Sequence, residues 1–196
     1  MRTIDLFIKR TADIILSGIG IIIVSPILLV AIIAIKITMP GPVFFYQERA
    51  GKNMKPFNIL KLRTMKVDKE AERILDGKKD EERITPVGRI LRRTKLDELP
   101  QLINVFKGDM SLVGPRPTIM SQAKGYNSFQ KKRLRMRPGM TGLAQVNGNI
   151  SLSWDDRITY DIKYIEEFNI GLDIRILIKT IKVIIFGEEK YVNPIR

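Results

Sequence analysis

The chain has 196 residues, with 34 Lys and Arg against 21 Asp and Glu for a formal net charge of +13, and it contains neither histidine nor cysteine. That length fits one domain able to bury a real core, and the charge points to anionic partners: nucleic acid, an anionic membrane face or phosphorylated small molecules. Disulfides, thiolate catalysis, the commonest general base and the commonest transition-metal ligand are excluded, so any catalysis must rest on carboxylates, hydroxyls, lysines or a hard cation such as Mg²⁺.

From Ile14 to Ile35, 22 residues run without a charge. The run is long enough for a membrane helix and too long for a cleaved signal peptide. Ser25-Pro26 sits almost at its midpoint, where proline removes a backbone donor and bends a helix. Basic residues flank both ends: Arg2, Lys9 and Arg10 before, then Lys36, Arg49, Lys52 and Lys55 after. A spanning helix carries its positive excess on one side. Each half rises about 17 Å, roughly half of a hydrocarbon core. The geometry suits a helix that enters, bends and returns to the same face, with the Ser25 hydroxyl placed to supply a backbone partner. On these features a kinked span stays equally open.

"TMPGPVFFYQERAGKN" (38 to 53) reads as a turn, a short strand and a basic loop, and "FNILKLRTM" (57 to 65) as a strand with Lys61 and Arg63 on one face. Residues 66 to 83 are almost all charged and read as an exposed helix and loop. In "KLDELPQLINVFKGDM", Leu96, Leu99, Leu102, Ile103 and Phe106 keep helical spacing and mark one buried face. "SLVGPRPTI" is an apolar run broken by a rigid Pro-Arg-Pro turn. Met110 to Trp154 holds seven basic residues and no acid. In "DIRILIKTIKVIIF" (173 to 186), Ile174, Leu177, Ile178, Ile181, Ile184 and Ile185 form one helical stripe. A core helix and a basic amphipathic helix on a membrane both fit it.

Asp97 and Glu98 are the first candidates for chemistry. Acids are ordinary at helix starts, where the dipole stabilises them by about 0.3–1 kcal/mol, and Pro100 suits a first turn. The same place keeps a carboxylate ionised, as a nucleophile requires, and at an irregular terminus two carboxylates can converge on one metal or phosphate. Arg116, between prolines, is a stiffly mounted guanidinium suited to a phosphate or to nothing but solvent. Lys61, Arg63, Arg89, Arg92 and Arg93 could extend an anion site. The glycines of "RPGMTGLAQVNG" (137 to 148) let backbone approach a ligand closely. Neither standard nucleotide-binding glycine loop is present.

"PGPVFFYQERAGKNMKPFNILKLRTM", "LDELPQLINVFKGDMSLVGPRP", "RPGMTGLAQVNG" and "DIKY" (161 to 164), in that order, closely resemble the bacterial sugar transferases in their small monotopic, polyprenyl-phosphate phosphoglycosyl transferase form. The likeness runs from about residue 3 to 186. It implies an α+β, mostly helical protein: a re-entrant helix-break-helix over 1–38, broken at Ser25 and Pro26, joined to a cytosolic catalytic domain over 39–196 with amphipathic interfacial helices. It implies transfer of a sugar-1-phosphate from a UDP-sugar to polyprenyl (undecaprenyl) phosphate with release of UMP, the first membrane step of a glycan. Asp97 would be the nucleophile that forms a phosphosugar-aspartyl intermediate, and Glu98 its partner, the two sharing Mg²⁺. Substrate and phosphate contacts would come from Lys61, Arg63, Arg92, Arg116, Arg137, Gln145, Asp161 and Tyr164. The location implied is the bacterial cytoplasmic membrane with the catalytic domain facing the cytoplasm, among membrane lipids; a homodimer is left open. Met54 and Met140 depart from the family's usual residues without touching the dyad. A membrane-tethered nucleic-acid module, suggested by the charge, is disfavoured by poor aromatic interleaving and the lack of a binding motif. A lipid-binding scaffold would release no UMP.

Overall fold

The computed structural model describes residues 3–67 and 82–191. The charged stretch read as helix and loop therefore lies mostly outside the described residues. The chain opens with helix α1 (Thr3–Thr38), whose apolar window has a mean hydropathy of 2.9, long and apolar enough to cross a membrane. It continues through Ser25-Pro26 as one helix, with Pro26 inside it. Pro26 cannot donate to the carbonyl of Ile22, four residues back, and the Ser25 hydroxyl donates to that oxygen instead at 2.8 Å.

One stripe of α1 faces the rest of the protein. At its N-terminal end the stripe is polar: Lys9, Asp13 and Ser17, at i, i+4 and i+8, are all buried. Lys9 donates to the Val113 carbonyl at 2.9 Å and pairs with Asp173 at 2.6 Å, and Asp13 accepts from the Leu112 amide at 2.9 Å. Arg10 donates to the carbonyls of Val105 and Phe106. Lys9 and Arg10 are thus structural anchors rather than membrane-flanking charges. At the other end Ala31, Ile35 and Met39 share a core with Leu62 and Leu91. Both halves of α1 therefore pack on the same body, while Ile15, Ile19, Ile22, Ile23, Val30 and Ile33 stay exposed.

Strands β1 (Phe44–Ala50) and β2 (Pro56–Leu62) form an antiparallel hairpin pairing Phe45 with Lys61 and Gln47 with Ile59. The turn between them puts Asn53 and Met54 at positive φ. After β2 comes α2 (Pro86–Arg93), begun by Thr85, whose hydroxyl accepts from the Gly88 amide, and by Pro86 in the first turn. A single 3₁₀ turn, Leu96–Glu98, leads through Pro100 into α3 (Gln101–Lys107), which Gly108 closes at φ +97°. The buried face of α3 is Gln101, Leu102, Asn104 and Val105. Phe106, expected in the core, is half exposed beside Gly18 of α1.

Strand β3 (Ser111–Val113) pairs in parallel with β5 (Gly139–Thr141), and β4 (Thr118–Ile119) joins β1 in a sheet of order β2-β1-β4. A Cβ on Gly139 would stand 2.1 Å from the Gly114 amide nitrogen, and one on Gly114 2.5 Å from the Arg137 carbonyl. These glycines let the Pro-Arg-Pro loop and the 137–142 segment cross each other closely. Helix α4 (Met120–Lys124) is short. Helices α5 (Trp154–Glu166) and α6 (Ile170–Phe186) are capped by Ser153 and Asn169, whose side chains accept from the amides of Asp156 and Leu172.

The apolar stripe of α6 faces outward. Ile174, Ile178, Ile181, Ile184 and Ile185 are each more than half exposed, and the core takes Asp173, Ile176 and Val183. Tyr164, Ile165, Phe168, Ile176 and Val183 build the main cluster with Val113, Met136 and Val146.

Candidate active site

The site is assembled by the hairpin and the 3₁₀ turn. On β1 and β2 the register puts Gln47, Arg49, Ile59 and Lys61 on one face. Asn104 fixes that hairpin to α3: its side chain accepts from the Leu60 amide at 3.0 Å and donates to the Asn58 carbonyl at 2.8 Å, occupying the free edge of β2. Because α3 is latched there, the Leu96–Glu98 turn just before it stands over Lys61. Lys95 enters that turn in the left-handed region at φ +58°, a conformation that costs a non-glycine residue about 1 kcal/mol or more and clusters at functional sites.

Lys61 donates to Glu98 Oε1 at 2.6 Å, and Arg116 reaches the same oxygen at 3.4 Å. An open pocket is bounded by Arg49, Lys61, Glu98, Gln101 and Arg116. Burial would raise the Glu98 carboxyl, but the charges of Lys61 and Arg116, the Lys61 hydrogen bond and Lys95 override it and hold it at about 2. Asp97 is shifted the other way. Burial and then the Glu98 charge push it above the ordinary aspartate range, against Lys61, Arg92 and a backbone hydrogen bond. The two neighbours are thus driven apart, and the helix dipole expected to govern both is outweighed by burial at Asp97 and by paired cations at Glu98. Asp97 is 8% exposed and does not itself line the pocket.

Among the described residues no three His, Cys, Asp or Glu side chains gather as a metal cluster. Mg²⁺ keeps several waters and takes one or two carboxylates together with substrate phosphates, and Asp97 with Glu98 is a donor pair of that kind. One oxygen of Glu98 is already engaged by Lys61 and Arg116.

The expected contact residues divide in two. Lys61 and Arg116 meet at the site, and Arg92, held by Thr64 at 2.9 Å, acts on Asp97 through its charge. The remaining five do not line this pocket, and each makes contacts within the protein. Arg63 lies just past the end of β2, buried, and donates to the carbonyls of Met39 and Pro40, so it clamps the junction after α1. Arg137 donates to the Gly108 carbonyl at 2.8 Å. Gln145 is buried and leans on the Met140 carbonyl. Asp161 is buried against Arg133, which also donates to Thr118, Tyr126 and the Arg116 carbonyl. Burial pushes Asp161 up to about 6 even against that guanidinium. Tyr164 has no exposed surface; its hydroxyl donates to Asp173 at 2.7 Å, and burial with the Asp173 charge keeps the phenol protonated. Among them, Asp161 is tied to the Pro-Arg-Pro loop through Arg133, which donates to the Arg116 carbonyl.

Two pocket residues escaped the sequence reading. Arg49 reads from sequence as a flanking charge, and its period-2 parity with Gln47 on a strand paired with β2 is the signal that puts it on the Lys61 face. Gln101 carried no signal beyond its nearness to the dyad.

The bacterial sugar transferase family model matches residues 4–187. A UDP-glucose:undecaprenyl-phosphate glucose-1-phosphate transferase of Klebsiella pneumoniae is 42% identical over 92% of this chain, which spans 41% of that relative's length. An uncharacterized sugar transferase, EpsL, of Bacillus subtilis is 38% identical over 93% of the chain and 90% of its own length. A UDP-glucose:undecaprenyl-phosphate glucose-1-phosphate transferase of Caulobacter vibrioides is 39% identical, covered over 72% of its length. With the family match running almost from end to end, the chain belongs to the bacterial sugar transferases.

Proposed function

We propose that the chain moves a sugar-1-phosphate from a UDP-sugar to undecaprenyl phosphate, releasing UMP, through a covalent intermediate on Asp97. The observation that carries this reading is a cationic pocket lined by Glu98, with the buried carboxylate of Asp97 next to it in the same turn and of opposite character. Glu98, gripped by two cations and held at about 2, is fully ionised but weakly basic, so it is a poor nucleophile. Asp97, partly stripped of water and raised, has the more reactive lone pair. An Asp97 oxygen attacks the β-phosphorus of the UDP-sugar. The bond from that phosphorus to the bridging oxygen breaks, and its electron pair leaves with UMP. The phosphate oxygen of undecaprenyl phosphate then attacks the same phosphorus and returns the carboxylate. Lys61 and Arg116 stabilise the charge on the phosphate oxygens. Mg²⁺, held by Asp97 and Glu98 with the substrate phosphates, would offset phosphate charge when bound.

Binding at one membrane face is supported by two features. Both halves of α1 dock on the same body, as binding at one face requires, and the isoleucines of α6 stand uncovered beside Arg175 and Lys182. Names borne by relatives from Klebsiella and Caulobacter support a lipid phosphate acceptor and a nucleotide sugar donor. The cytoplasmic membrane, with the body facing UDP-sugars in the cytoplasm, follows as part of this proposal.

The test is UMP release by the purified chain in detergent with Mg²⁺, undecaprenyl phosphate and single UDP-sugars. Sustained release that requires the lipid acceptor is expected; its absence with every UDP-sugar would remove the proposal. For the membrane part, Ile178→Glu should weaken liposome flotation about tenfold or more and leave the melting temperature unchanged, because Ile178 is 53% exposed.

A further inference from the structure

Two buried N–H donors in the pocket have no acceptor. Gln101 is only 3% exposed, and its Nε2 has no hydrogen-bond partner; Arg49 Nε is also buried without one. Both residues line the same cavity. A buried donor left unpaired costs about 1–3 kcal/mol and asks for an explanation. The rest of Arg49 is fixed: Nη1 donates to the Pro117 carbonyl at 3.3 Å and Nη2 to Gln47. Its backbone lies in β1 between β2 and β4. The guanidinium is therefore mounted rigidly with one edge unused. Glu98, the single carboxylate lining the pocket, is shared by Lys61 and Arg116, so neither free donor has an acidic partner there.

The charges of the site also fall in an order. Asp97 feels Glu98, Lys61 and Arg92, whereas Arg49 feels Arg116 and Glu98. The hairpin register agrees, setting Lys61 opposite Phe45 and Arg49 opposite Phe57, so Lys61 and Glu98 stand toward Asp97 and Arg49 with Arg116 farther along, while Gln101 lines the same pocket. A diphosphate whose β-phosphorus is attacked at the Asp97 end extends its α-phosphate toward the other. We infer that Arg49 and Gln101 form the seat of the leaving nucleoside monophosphate, binding the α-phosphate oxygens of the UDP-sugar and of UMP, in contrast to the transferred phosphate at Lys61. This rests on the transferase reading above. It adds an assignment that separates the two substrates, since the lipid acceptor brings one phosphate and has no group for this seat.

Product inhibition and two-substrate kinetics test it on the full chain in detergent. Arg49→Lys removes the Nε–H and keeps the charge; Gln101→Met keeps the length and removes the donor. Each should raise the UMP inhibition constant about tenfold or more. Each should lower kcat/KM for the UDP-sugar far more than kcat/KM for undecaprenyl phosphate. Equal losses for both substrates with an unchanged UMP constant would overturn the assignment and leave the two residues as supports. A second measurement needs neither a variant nor turnover. Saturating UMP should slow phenylglyoxal modification of Arg49 in the wild-type chain and leave the exposed Arg135 unaffected. Absence of that protection overturns the seat even where turnover is intact, whereas protection without turnover with any UDP-sugar would sink the transferase reading and keep the seat.

Discussion

Two clusters in this protein are built from the same parts and do opposite work. In the first, Lys9 from α1, Asp173 from α6 and Tyr164 from α5 meet beneath β3; the Lys9–Asp173 pair is nearly sealed, and the Val113 carbonyl accepts from both Lys9 and Tyr164. In the second, Lys61, Glu98 and Arg116 meet at an open pocket where cations outnumber carboxylates and two buried donors stay unpaired. The first is closed: Lys9 pairs with Asp173, and the polar side-chain groups of Lys9, Asp173 and Tyr164 bond to one another or to the Val113 carbonyl. The second is incomplete, and under the proposed function an anionic substrate completes it. An ionic cluster is read as structural or functional by whether its accounts of charge and hydrogen bonding balance.

The sharpest way to break this contrast is at Asp97. Asp97→Asn keeps shape and burial, so the melting temperature should stay near wild type while turnover falls by about 10³-fold or more. Full turnover in that variant would place the nucleophile elsewhere. Next in size is the closed cluster. Lys9→Met leaves Asp173 buried without its cation and should destabilise the protein by about 3–5 kcal/mol in a denaturant titration. The double variant Lys9→Met/Asp173→Leu should regain most of that loss; no recovery would mean that charge pairing is not what anchors α1. At the open cluster the same kind of change should act on chemistry alone. Arg116→Lys loses forked geometry at an exposed position and should lower kcat/KM about tenfold with little change in melting temperature.

The smallest effect is a pH dependence. Glu98 has a folded value of about 2, below its ordinary 4.5. Its pairing therefore stabilises the fold fully above about 4.5, and the gain is lost as pH falls from there toward 2. The denaturation midpoint should drop between pH 5 and 3 by more in wild type than in Glu98→Gln, where no such group titrates. A parallel fall in both would remove Glu98 from the account. Asp97 is raised instead, so the acid limb of kcat/KM should lie above 3.8, the ordinary aspartate value.

The parts of the fold legible in sequence were those set by local chemistry. Alternation gave the hairpin strands, and the long apolar run gave α1. The dyad was legible because composition removed His and Cys and left carboxylates. What stayed hidden depends on packing between distant segments. Lys9 and Asp173 are 164 residues apart, and nothing local reveals that a lysine on an apolar helix is a core anchor. Arg63 and Lys61 share a strand parity, yet β2 ends at Leu62, so one residue faces the site and the other turns under the α1 junction. Asp161 and Tyr164 lie in a motif that suggests binding, but their helix α5 turns both inward. The apolar stripe of α6 was visible as a stripe, and only the packed structure decides which side of it is covered.

The central claim is that Asp97 takes the sugar-phosphate covalently. The direct measurement is the mass of the protein after mixing with a turned-over UDP-sugar and Mg²⁺ in the absence of undecaprenyl phosphate. The account predicts close to one equivalent of UMP, a mass gain of one sugar-phosphate on the peptide containing Asp97, and loss of that gain when the lipid acceptor is added. UMP released only with the acceptor present, or an adduct mapped to Glu98 or any other residue, would contradict it.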